Sequence, residues 1–135
     1  MPRLSCWYIR ASLLHLAVGF MLGALLLIHK GIPLHPAFWQ LLPLHIECLL
    51  LGWTLQLALG VAFWILPRHR LGPEQGHETP ARLAWGLLNL GVLMAGFGWM
   101  LGAPALIPLL GRGAEAGAAV AFAVHAWSRV KPLGV

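Results

Sequence analysis

Aspartate does not occur in these 135 residues, and charge of either sign is scarce: four Glu and nine Lys or Arg, together 10% of the chain. A water-soluble domain carries about 25% charged residues, enough to cover its surface. This chain has too few, which excludes an ordinary soluble domain. Cysteine is nearly as rare. Cys6 and Cys48 are the only two, which excludes a disulfide-stapled scaffold and a Cys-based metal motif. They are expected at opposite membrane faces, too far apart to bridge. No small-residue cleavage motif follows the first apolar block, which is longer than the apolar core of a secretory leader. That block is therefore expected to be a membrane span.

What the chain does have is apolar sequence, 59% of it, gathered into long blocks rather than short alternations. The blocks cover about 9–29, 38–66, 81–101 and 114–130. Each approaches the roughly 20 residues that cross a bilayer as a helix. The expectation is an all-α integral membrane four-helix bundle, one transmembrane domain over 1–135, multi-pass in the cell inner (cytoplasmic) membrane. The stretch from Pro67 to Pro80 reads as a surface loop, and Gly102 to Gly113 as a Pro- and Gly-marked connection. The last block is the shortest and the least hydrophobic, suited to packing inside a bundle. Gly19 and Gly23 form a G-x-x-x-G pair, a spacing that lets helix backbones approach in lipid.

The net charge of +5 does not point to nucleic acid, because the basic residues sit at block edges. With the N-terminus and C-terminus cytoplasmic, Arg3, Arg10, Arg68, Arg70, Arg82, Arg129 and Lys131 lie inside. Only Lys30 and Arg112 lie outside. That bias follows the positive-inside rule. Tryptophans fall near both interfaces, Trp7, Trp64, Trp85 and Trp127 on one side and Trp39 and Trp99 on the other.

Seven histidines carry the functional information. His15, His45 and His125 fall within apolar blocks, and His29 at the end of the first. An imidazole in hydrocarbon is costly without a partner, so each is a functional candidate. At 100° per residue, His15 shares a stripe with Gly19 and His29 to within about 40°. His45 likewise shares one with Gly52 and Gln56, and His125 with Ala114, Ala118 and Ala121. These small-residue faces suit either a neighbouring helix or a flat macrocycle. By axial rise, His15 and His125 lie at one depth, about 6 Å inside their helix midpoints, and His29 and His45 at another toward the outside. Two imidazoles at equal depth on facing helices are what axial ligation of one haem needs.

A plain interhelical hydrogen bond satisfies any one of these rings equally well. For the set, haem b is preferred over bare zinc or copper, since no tight His/Cys/Glu cluster is seen. Arg10, Arg82, Arg129 and Lys131 are candidates for haem propionates, or simply orientation charges. Glu47 is an acid inside an apolar block, about 200° around its helix from His45. It reads as a cavity-mouth group, a proton-transfer group, a subunit contact, or a carboxylate favoured by a helix N-terminus.

The run from His45 through Glu47, the Gly52-Trp53 pair and Leu66-Pro67-Arg68 resembles the second helix of haem-copper oxidase subunit I, nearest to cbb-type oxidases and nitric oxide reductases. Its His-x-Glu-x-x-x-x-Gly pattern is also similar to that of NnrS-type membrane haem proteins. The resemblance covers residues 45–68 and implies that His45 is an axial haem ligand. The family's copper-binding histidine cluster and its later ligand-bearing helices have no counterpart here, so the chain alone is not expected to be a complete oxidase or reductase. The expectation is a haem b protein that binds a diatomic gas, nitric oxide or oxygen, or transfers electrons. The metal ligands are drawn from His45, His15 and His125, with His29, Gly52, Gln56, Arg129 and Arg10 around the cofactor. A non-catalytic subunit or assembly partner of a respiratory complex is the alternative, and a small proton or ion transporter the third. A homo-oligomer or a partner subunit is expected in either of the first two.

Overall fold

A computed structural model describes residues 1–67, 77–127 and 129–130. Four helices, each long and apolar enough to cross a membrane, account for nearly all of them, and no strand occurs among the described residues. They are α1 (Arg3–Gly31), α2 (Pro36–Ile65), α3 (Thr79–Met100) and α4 (Leu106–Trp127). Arg68, His69, Arg70 and Lys131 lie outside the described residues, as does most of the stretch read as a polar loop.

Prolines bound the helices where a missing N–H is harmless. Pro2 precedes α1, and Pro33 follows it. Pro36 opens α2, where the His35 ring accepts from the Ala37 N–H at 3.2 Å. Pro67 ends α2, and Pro80 lies in the first turn of α3. Gly102, at φ 62°, turns the chain after α3 in the left-handed region open to glycine. The fourth helix begins at Leu106, eight residues before the expected 114. Pro108 falls in its first turn and costs no hydrogen bond, and Gly111 sits inside the helix. Glycine and proline mark this helix start as they would mark a loop.

At about 1.5 Å per residue, the 22 residues of α3 and of α4 just cross the roughly 30 Å hydrocarbon layer. The 29 residues of α1 and 30 of α2 overreach it by several turns. The connections 32–35 and 101–105 are short and make α1–α2 and α3–α4 antiparallel hairpins. One end of the bundle therefore carries the start of α1 and the end of α4, the terminal end, and the other carries the two short connections.

The two hairpin contacts, α1 with α2 and α3 with α4, are the most extensive and about equal. A Cβ on Gly111 would lie 2.6 Å from the Ala95 nitrogen, so only glycine lets the α3 and α4 backbones meet. Near the terminal end all four helices contribute to one core of Leu4, Tyr8, Phe63, Ala84, Leu88 and Phe122. Its polar groups are satisfied across helices. Ser5 donates to the Gly60 carbonyl at 2.7 Å, and the Tyr8 hydroxyl to Ala81 at 2.8 Å. Outside, Leu14, Phe20, Met21, Leu27, Leu109 and Val120 are all more than half exposed. Such an apolar exterior is a lipid-facing surface.

Candidate functional site

The seam between α1 and α2 holds two of the candidate histidines. His45 lies in the α-helical start of α2, just before a π-helical stretch, Cys48–Leu55. Its Nδ1 is 2.8 Å from the Gly19 carbonyl of α1. A carbonyl only accepts, so Nδ1 carries the proton and Nε2 keeps its lone pair. The ring fills the space a side chain at position 23 would take: a Cβ on Gly23 would lie 2.7 Å from its Cε1. His15 repeats the arrangement from the other helix. Its Nδ1 donates to the Ala11 carbonyl at 2.9 Å, and its ring covers Gly52 of α2. The G-x-x-x-G pair of α1 is thus used inside the chain, Gly19 against Leu49 and Gly23 against His45.

Beside His45 the seam opens into a cavity of about 510 Å³, lined by Gly23, Leu26, Trp39, Leu49, His45 and Lys30 among others. It is apolar apart from the last two. Lys30 is near the end of α1 that carries the short connection.

The other candidates are engaged elsewhere. His29 is buried, stacks on Phe38 at 5.3 Å, and accepts from the Leu34 N–H at 3.1 Å, closing the turn after α1. His125 stacks on Phe63 at 5.1 Å. Its Nδ1 donates to the His77 carbonyl at 3.1 Å, and its Nε2 accepts from Arg129 at 3.1 Å. Arg129 is fully buried, and burial pushes its guanidinium below its ordinary value. It donates to the carbonyls of Phe63, Leu66 and Pro67, capping the C-terminal end of α2. The depth-matched pairs expected from the sequence, His15 with His125 and His29 with His45, are not formed by any described contact. Each ring has its own partners.

Gln56 does not share the face of His45. It lies 3.4 Å from Asn89 of α3, whose amide donates to the Trp85 carbonyl. The π stretch between them explains the difference. Its wider turn, marked by the Thr54 hydroxyl donating to the Leu49 carbonyl five residues back, breaks the 100° count. Arg10 is exposed and lines a different cavity, with Trp7 and Trp85.

Sequence reasoning missed a charge cluster at the connection end. Arg112 of α4 contacts Glu47 of α2 at 2.5 Å and Glu115 at 3.1 Å. Both acids are buried, and Glu47 Oε2 and Glu115 Oε1 have no hydrogen-bond partner among the described residues. Gly91 of α3 leaves the room Glu115 occupies. The signal is present in the Arg112–Glu115 i,i+3 spacing, but the Gly and Pro residues of 102–113 mark Arg112 as part of a connection. A cavity of about 210 Å³, lined by Glu47, Arg112 and Trp99, adjoins the cluster. Among the described residues, no three His, Cys, Asp or Glu side chains gather as a bare metal ion would need. No family model, no curated protein and no solved structure matches this chain.

Proposed function

We propose that this multi-pass membrane protein binds haem b in the α1–α2 cavity, with His45 as the axial ligand, and takes up a diatomic gas there. The observation that carries the reading is the state of His45. Its Nδ1–H is held by the Gly19 carbonyl, which leaves Nε2 with its lone pair, and the residue lines an apolar cavity. A ligating histidine is usually oriented in this way by a backbone carbonyl. The cavity, at about 510 Å³, falls within the range of cofactor sites, and Lys30 offers a cation to a carboxylate at its rim. The resemblance of residues 45–68 to the haem-bearing helix of the oxidases supports the same residue. Haem held there by His45 would supply an iron able to bind nitric oxide or oxygen.

The gas-binding reading is preferred to bis-histidine electron transfer because only His45 of the candidates lines this cavity. His125 Nε2 accepts from Arg129, His29 accepts from the backbone, and His15 covers Gly52. Orientation is part of the proposal. Arg3, Arg10, Arg82 and Arg129 are at the terminal end, which is assigned to the cytoplasmic side of the cytoplasmic membrane.

The test is an absorption spectrum of the purified chain after expression with ample haem. A Soret band that shifts with carbon monoxide or nitric oxide is expected. It is lost in His45→Ala and kept in His15→Ala and His125→Ala. A colourless wild-type preparation, or loss confined to the His15 and His125 variants, rejects the reading.

A further inference from the structure

At the terminal end, α1 and α3 diverge into a groove formed by two adjoining cavities of about 160 and 350 Å³ that share Trp7. The α1 wall is Arg3, Trp7, Arg10 and Leu14, spaced 4, 3 and 4 residues apart and therefore on one stripe. The α3 wall is Glu78, Arg82 and Trp85. Both walls run from charged at the helix start to apolar deeper in. Glu78 and Arg82 satisfy each other at 2.8 Å. Arg3 and Arg10 have no acidic partner among the described residues, so the groove has a surplus of positive charge. The two indoles meet at 5.8 Å on its floor, and the Trp85 Nε1–H is buried without a partner.

We propose that this groove is a binding site for one anionic phospholipid. The headgroup phosphate lies against Arg3 and Arg10, and an acyl chain runs along Trp7, Leu14 and Trp85. The depth of Arg10 supports this occupant. α1 overreaches the hydrocarbon layer, so the two turns from Arg3 to Arg10, about 10 Å, lie at headgroup level. Leu14, one turn on, is at the level of the acyl chains. A basic pocket between transmembrane helices at the interface is suited to an acidic headgroup. A soluble anion would meet the arginines but leave the apolar half of the groove unfilled. The inference is independent of the haem reading, because it concerns a separate cavity and its readout is bound lipid.

The experiment reconstitutes the full chain in nanodiscs holding equal amounts of phosphatidylglycerol and phosphatidylcholine with identical acyl chains. Retained lipid is then counted by native mass spectrometry. One phosphatidylglycerol per chain, enriched about 25-fold over phosphatidylcholine for two basic residues, is expected. Each of Arg3→Gln and Arg10→Gln should lower the enrichment about five-fold, the value of one basic residue near an acidic headgroup. Arg10→Lys should keep it, which separates charge from misfolding. An enrichment of one in the wild type, no loss in the glutamine variants, or displacement of the lipid by excess inorganic phosphate overturns the proposal.

Discussion

At the residue scale, the α1–α2 seam is a pair of exchanges in which each helix gives a histidine to a glycine of the other. The sequence makes these rings conspicuous, because an imidazole in hydrocarbon needs a partner. It also places small residues on their stripes. It does not say whether a cofactor or the opposing imidazole fills the space over a glycine, since that depends on the register of α1 against α2. The seam gives a direct test. A Cβ on Gly52 would lie 2.5 Å from the His15 Cγ, so Gly52→Ala overpacks the site. A loss of about 1–3 kcal/mol is expected from denaturant unfolding in detergent. Gly52→Ala combined with His15→Ala should recover much of it, because the two side chains compete for one space. Additive losses would show that His15 does not lie on Gly52.

The charge cluster obeys a simple count. Two buried carboxyl groups share one guanidinium, so a fully ionised cluster has one negative charge too many. Glu115→Gln removes that surplus and leaves Glu47 paired with Arg112, so a change within about 0.5 kcal/mol is expected. Arg112→Gln leaves both acids without a cation. Its cost belongs at the low end of about 3–5 kcal/mol, because Arg112 is half exposed. Equal effects from the two variants, read in the same unfolding assay, would reject the count. Glu47 was legible as an unusual acid, while Glu115 was not, because its helix was expected to start only one residue before it.

At the element scale, long apolar runs announced the four spans, and their ends were less visible. Gly and Pro before Ala114 signal a break, yet a proline in the first turn of a helix breaks nothing. The π stretch Cys48–Leu55 was invisible for a different reason. Its residues are those of any apolar helix, and only the packing of α2 against both α1 and α3 selects the wider turn. His45 thereby faces α1 while Gln56 faces α3. At the far end of α2, its C-terminal cap is Arg129, two residues past the end of α4. Arg129→Lys keeps the charge but cannot reach the Phe63, Leu66 and Pro67 carbonyls and the His125 ring together. A loss of about 2 kcal/mol is expected. Amide exchange should accelerate in the last turn of α2 and the last turn of α4, with the α1–α2 seam unaffected. Acceleration spread evenly over α2 would mean that Arg129 does not act as its cap.

At the scale of the whole molecule, the number of spans was the most legible property, and which helices touch was the least. Apolar length reports on lipid as a solvent, one helix at a time. Pairing depends on where small residues meet, as Gly111 meets Ala95 and Gly91, and a single chain offers several such stripes. Four antiparallel spans have one consequence that holds for any pairing: the start of α1 and the end of α4 lie on the same side. The proposed orientation puts that end, with its excess of Arg, on the cytoplasmic side by the positive-inside rule. Cys6 serves as a native reporter, since it is free and near the terminal end, whereas Cys48, also free, packs beside Gly19 near the middle of the bundle. Cys48 is buried, so in intact spheroplasts a membrane-impermeant maleimide should label neither thiol. After permeabilisation it should label Cys6, which is half-buried near the terminal end. An added cysteine ahead of Arg3 should follow Cys6, and one added beside Ile32, which is exposed in the α1–α2 connection, should be labelled in the intact cells. The reverse pattern would invert the bundle. It would place the arginines of the α1–α3 groove on the outside and open the His45 cavity toward the cytoplasm.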